Sequence, residues 1–143
     1  MNRVVRHKQT RRIAGLRKQY YFSSSSRGLC AWDVERLIKL TKDIEPELIP
    51  LNTIKELDEN HWFGEEGDTP TCRAITEHAV LIKNTDLSFP IILSTQGRVM
   101  DGMHRVCRAL MEGKEKIKAV RFAIDPEPDY VGVRSADDLP YQV

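Results

Sequence analysis

Apolar positions along this chain change period near residue 102, and the change separates a strand pattern from a helical one. Pro90-Ile91-Ile92-Leu93 and Arg98-Val99-Met100 are short apolar runs that predict two strands, with Thr95-Gln96-Gly97 supplying the turn of a hairpin between them. From Met103 onward the spacing is helical: Met103, Val106, Cys107, Leu110 and Met111 share a face, and Gly113 is placed to end the helix. Two further helices are predicted. One runs from Ala31 to Lys42, with Val34, Leu37, Ile38 and Thr41 on one face and Asp33 as a cap, and it packs as a lid or flank. The other starts at Thr69 as N-cap with Pro70 in the first helical position, and carries Ile75, Ala79 and Ile82. After Phe122, the prolines of Asp125-Pro126-Glu127-Pro128-Asp129-Tyr130 predict an extended loop. Val131-Gly132-Val133 then adds a short edge strand, and Ser135 to Leu139 a turn of helix.

At the change of period stand Asp101-Gly102-Met103-His104-Arg105. Asp101 is placed to act as N-cap of the helix, which leaves the first-turn amides near Gly102 and Met103 open to a ligand. Gly102 has no Cβ to hold an anion away from the backbone, and His104 and Arg105 add side-chain donors at the same end. A guanidinium fork matches two phosphate oxygens at once. A hydrogen bond to a charged group contributes roughly 1.5–3 kcal/mol against ~0.3–1 kcal/mol from the helix dipole, so Arg105 is expected to dominate. The competing reading is a capped core helix whose His104 and Arg105 face solvent, and for an isolated Asp-Gly-x-His-Arg string it is the stronger one.

The order of elements around the motif shifts that balance. From about Leu48 to Phe122, roughly half its length, the chain resembles the ParB/sulfiredoxin-like superfamily. The matching pieces are an early strand, Leu48-Ile49-Pro50-Leu51-Asn52-Thr53-Ile54; a helix from Thr71 to Thr85; the Pro-led strand Phe89-Pro90-Ile91-Ile92-Leu93; Val99 to Arg105; and a last strand, Ile117-Lys118-Ala119-Val120-Arg121-Phe122. The resemblance implies an α+β fold, a small mixed sheet flanked by helices, and a turn at Gly102 that holds nucleotide phosphates. ATP, ADP or CTP is the implied ligand, with Mg²⁺ to offset charge where a phosphoryl group is transferred. The motif is closest to the Asp-Gly-His-His-Arg form of the superfamily's free serine kinases, with Met103 replacing the first His. Sulfiredoxins carry their reactive Cys directly before the His-Arg pair; Met103 stands there, so this chain is not expected to be a sulfiredoxin. Chromosome-partitioning ParB proteins use Gly-Glu-Arg-Arg at this turn and carry helix-turn-helix and dimerisation domains further along, for which too few residues follow Phe122.

In the serine kinases a Glu shortly after the first strand serves as base, which makes Glu56 and Glu59 the catalytic candidates; position does not choose between them. The superfamily also uses a Lys/Ser/Thr set on the helix before Pro90 to reach phosphates, so Thr71, Arg73 and Thr76 are candidate pocket residues, and Arg73 would add a second guanidinium near Arg105. The acidic loop from Asp58 to Asp68 is otherwise expected to be solvated. Its Trp62 and Phe63 either stack on a base or, in better keeping with their place beside a strand end, seal the core, while His61 is expected to face water.

Composition adds one restriction. The 143 residues are 41% apolar and 30% charged, enough for one modest core. The net charge of +1 hides an asymmetry, because no acidic residue precedes Asp33 while eight of the 22 basic ones do. The remainder, with 14 basic and 21 acidic residues, carries −7, which opposes broad nucleic-acid binding by the domain, so DNA is not a favoured partner. Residues 1–28, basic and including Ser23 to Ser26, lack apolar periodicity and are expected to be a flexible extension ahead of a domain over 29–143. The extension has the character of a transit peptide or of a nucleic-acid-contacting tail, and an extension of no consequence is the favoured reading. No run is apolar enough to span a bilayer, and no secretory signal is visible. Cys30, Cys72 and Cys107 lack paired metal-ligand spacing and read as reduced thiols, Cys107 in the core; Cys72 and His78 fall on different helix faces, so no structural metal is expected and a cytoplasmic location is the default. The expected function is nucleotide binding with phosphoryl transfer or nucleotide hydrolysis. The alternatives are a non-catalytic nucleotide-sensing or interaction module and a DNA-associated, nuclease-like protein.

Overall fold

The computed structural model describes residues 18–64 and 69–142. A hairpin of β1 (Tyr20–Ser25) and β2 (Gly28–Asp33) leads into α1 (Val34–Thr41), β3 (Glu47–Pro50) and two single-turn helices at Leu51–Thr53 and Lys55–Asp58. Then come α2 (Cys72–Asn84), β4 (Ile91–Leu93), β5 (Val99–Asp101), α3 (Met103–Met111) and β6 (Lys116–Arg121). The second sheet has the order β3-β6-β4-β5, with β4 and β6 parallel and the other pairs antiparallel. The fold is therefore α+β, with a small mixed sheet between helices.

The apolar runs of β4 and β5 are continuous because the sheet is covered on both faces there, while Lys118 interrupts β6. Ile91, Leu93, Val99, Ile117 and Ala119 pack with Met103, Val106 and Ala109 of α3 on one side. Ile92, Met100 and Val120 pack with Leu37 of α1 and Tyr21 of β1 on the other. The β4–β5 hairpin turns at Gly97, whose φ of +81° suits glycine. Gly113, φ +74°, follows α3 as its spacing predicts.

Four expectations need correction. The domain starts well before residue 29, since Tyr20, Tyr21 and Phe22 are buried in a six-residue strand and only Arg3, Arg6, Lys8, Arg11, Arg12 and Arg17 of the basic extension lie outside the described residues. The serine run hid a strand whose alternating aromatics point into two different cores, Tyr20 and Phe22 toward Leu139 and Tyr141, Tyr21 toward the sheet. Asp33 does cap α1, accepting from the Glu35 amide, but Ala31 to Asp33 belong to β2. α2 is capped by Thr71, whose hydroxyl accepts from the Ala74 amide, rather than by Thr69. Its buried face holds Ala74 and His78, while Ile75 is 51% exposed. Finally, Val131 to Val133 form no strand; an isolated bridge joins Tyr130 to Ala31.

Candidate functional site

The junction Asp101–Arg105 joins β5 to α3, and the structure distributes its residues to two sides. Asp101 is not the N-cap, because it completes β5 opposite Ile92. Gly102 occupies that position with φ +109° and ψ 22°, and no side chain caps α3. Glycine is required there by the fold itself: a Cβ would lie 2.7 Å from Ile91 Cγ2 and 2.8 Å from Arg105 Nη2. Met103 is buried among the core residues, so only its backbone belongs to the turn.

Arg105 folds back along the turn. Its Nη2 donates to Asp101 Oδ2 at 3.1 Å and to the Pro90 carbonyl at 3.3 Å, while the buried Nε has no partner. Both protein hydrogen bonds leave from Nη2. The Asp101–Arg105 pair forms part of the wall of a cleft of about 620 Å³, between the end of α1 and the starts of β4 and α3. Lys42, Asp43 and Glu45, on the turn after α1, supply the rest of its charge. Its apolar surface comes from Ile38, Phe89, Ile92 and Val120. Such a volume is in the range of ordinary small-molecule pockets, roughly 300–1,000 Å³.

His104 departs from the expectation of a phosphate donor, since it turns toward α2. Its Nε2 lies 2.9 Å from His78 Nδ1 in a hydrogen bond between imidazoles. The Trp62 indole stacks on both rings, 4.4 Å from His78 and 4.5 Å from His104 between centroids. His61 is buried at the edge of Trp62 rather than facing water, and Phe63 meets His78 edge-on. The aromatic residues of the loop thus seal the α2–α3 junction. Adjacent residues on a helix point about 100° apart, which is how Arg105 reaches the cleft while His104 reaches α2.

The catalytic candidates lie on β5's outer side. Glu56 is 2% exposed; its Oε2 accepts from the Val99 amide at 2.7 Å and lies 3.2 Å from Arg98 Nε, while Oε1 is buried without a partner. Glu59 is gripped by both terminal nitrogens of Arg98, and this hydrogen-bonded carboxylate holds the Arg98 guanidinium more firmly protonated than usual. Neither Glu forms part of the cleft wall. The physical reason is competition: an unpaired strand amide and a nearby guanidinium claim these carboxylates. Arg73 and Thr76 are exposed on α2, the Thr76 hydroxyl bonds the Cys72 carbonyl, and neither joins Arg105 at the cleft. Glu65, Glu66 and Asp68 of the acidic loop lie outside the described residues. The described residues contain no cluster of three His, Cys, Asp or Glu able to hold a cation. Cys107 packs against the core and burial pushes its thiol up, whereas Cys72 is exposed. No described helix is long and apolar enough to cross a membrane.

Sequence reading missed the residues of the turn after α1. Their spacing carries no motif, and they face Arg105 only because the sheet brings α1 beside β4. No family model, curated protein or solved structure matches this chain.

Proposed function

We propose that this chain binds a nucleotide or another phosphorylated small molecule in the cleft at the start of α3, with Arg105 as its anion-binding group. The observation that carries this is the guanidinium at the cleft wall, anchored through Nη2 alone and so left with Nη1 donors for a guest. Gly102 and Met103, whose amides were expected to meet the ligand, are buried and do not line the cleft, so Arg105 is the donor of the turn that reaches it. The resemblance of the same residues to the ParB/sulfiredoxin-like phosphate turn supports the reading and adds the nucleotide. Phosphoryl transfer would need a base and a cation beside the phosphates. Glu56 and Glu59 are engaged by β5 and Arg98 and stand outside the cleft wall. Among the described residues this favours a binding or sensing module over a phosphotransferase or nucleotide hydrolase.

Thermal scans with ATP, ADP and CTP, with and without Mg²⁺, test the reading. A ligand at one hundred times its dissociation constant stabilises the fold by ~2.7 kcal/mol, a visible rise in Tm. Arg105→Ala is expected to abolish that rise. No rise with any nucleotide or phosphorylated metabolite overturns the proposal, and mass spectrometry of incubated nucleotides separates sensing from turnover.

A further inference from the structure

The cleft contains more than an anion site. Its charged wall has two cations, Lys42 and Arg105, and three carboxylates, Asp43, Glu45 and Asp101. Arg105 already engages Asp101 through one oxygen, Oδ2. Among the described residues the Asp43 and Glu45 carboxylates form no ion pair or side-chain hydrogen bond, so their acceptors are available to a ligand. The charges come from two elements, Asp101 and Arg105 from the β5–α3 turn and Lys42, Asp43 and Glu45 from the turn after α1, and the same wall carries apolar residues, including Phe89, which is 62% exposed on the stretch leading into β4.

With Lys42 and Arg105 against Asp43, Glu45 and Asp101 the wall sums to −1, and Asp101 is already paired with Arg105, so a polyphosphate gains little net attraction from it. It suits a guest that carries one anionic group and one cationic group on an apolar body. We infer that the ligand of this cleft is an aminated phosphomonoester: phosphate toward Arg105, amine toward Asp43 and Glu45, and an apolar or aromatic body against Phe89, Ile38 and Ile92. The inference rests on the phosphate-binding reading above and narrows it from nucleotides in general to zwitterionic phosphates. Each charge placed opposite its complement adds affinity and fixes the direction in which the guest lies.

The matched probes are O-phosphotyramine, phenyl phosphate, which lacks the amine, and tyramine, which lacks the phosphate; ATP is the polyphosphate control. Binding is read by calorimetry and by Tm on the full chain. O-phosphotyramine is expected to bind more tightly than phenyl phosphate by roughly fivefold or more, as for partly exposed ion pairs acting together, and tyramine is expected to bind weakest. The exposed double variant Asp43→Asn with Glu45→Gln, checked for unchanged Tm without ligand, is expected to erase the preference for O-phosphotyramine while keeping phenyl phosphate affinity. Arg105→Ala is expected to remove binding of both phosphates. Equal binding of O-phosphotyramine and phenyl phosphate, tighter binding of ATP than of O-phosphotyramine, or a preference that survives the double variant overturns the inference and leaves phosphate binding standing. Absence of binding by every phosphate, ATP included, overturns the phosphate reading itself.

Discussion

A methyl group at position 102 meets Ile91 and the Arg105 guanidinium at once, on a backbone with φ +109°. Strained backbone of this kind costs ~1–3 kcal/mol and overpacking a similar amount. Gly102→Ala is therefore expected to destabilise the fold by about 2–4 kcal/mol, read from the denaturant midpoint, and to weaken phosphate binding by moving Arg105. At the same scale, burial raises the Cys107 pKa, which lowers its thiolate fraction at any given pH and delays its reaction as pH rises. Iodoacetamide at pH 8 is expected to label exposed Cys72 well before Cys107, as peptide mass spectrometry can show; equal rates would contradict the burial. That Gly102 and Arg105 share one strand-to-helix turn was legible in the sequence. The reason for the glycine was not, since the sequence does not show Ile91 lying against it. Nor was the partner of His104, which stands 26 positions away on another helix.

Among the elements, β5 is an edge strand, and its outward amide at Val99 is covered by a buried carboxylate instead of a neighbouring strand. Removing one member of a buried ionic hydrogen-bond pair typically costs ~3–5 kcal/mol. Because Arg98 keeps Glu59, Glu56→Ala is expected near the lower end, about 3 kcal/mol, whereas Glu59→Ala at the surface should cost no more than ~1 kcal/mol. Paired urea melts of the two variants check this order, and similar losses would mean that Glu56 is no keystone. Helix existence was legible from periodicity at all three helices, but the buried side of α2 was not. A hydrophobicity pattern ranks Ile75 above His78 for burial, and the reverse holds because Trp62 stacks on the imidazole and His104 bonds its Nδ1 inside. The cap was likewise ambiguous between two threonines until the Thr71 hydroxyl was seen to reach the Ala74 amide.

For the whole molecule, the N-terminal hairpin depends on the chain's other end. Tyr20 donates to the Pro140 carbonyl, Trp32 donates to that of Pro126, and Asp129 accepts from the Asp33 amide and from Arg36. Leu139 and Tyr141 cover the outer face of β1. Truncation after Ile124 exposes that face; with each large apolar side chain contributing roughly 1.5–3 kcal/mol, it is expected to remove ~3–6 kcal/mol of stability, and calorimetry of the truncated chain should show a much lower Tm. Strands β4 and β5 were legible because they are covered on both faces and so read as plain apolar runs, whereas β3 is largely exposed and Lys118 interrupts β6. The hairpin was not, because Ser23 to Ser26 follow three aromatic residues, of which Tyr20 and Phe22 are buried by a segment more than a hundred positions away and Tyr21 by the sheet.

The first turn of α3 is held from two directions, by the cleft through Arg105 and by the ring stack through His104. A guest that draws the guanidinium forward is expected to shift this shared turn and, with it, the His104 imidazole stacked on the indole. Trp62 emission is therefore expected to change as the cleft fills, giving an unlabelled optical gauge of occupancy, and Trp62→Phe should lose most of that signal while still binding.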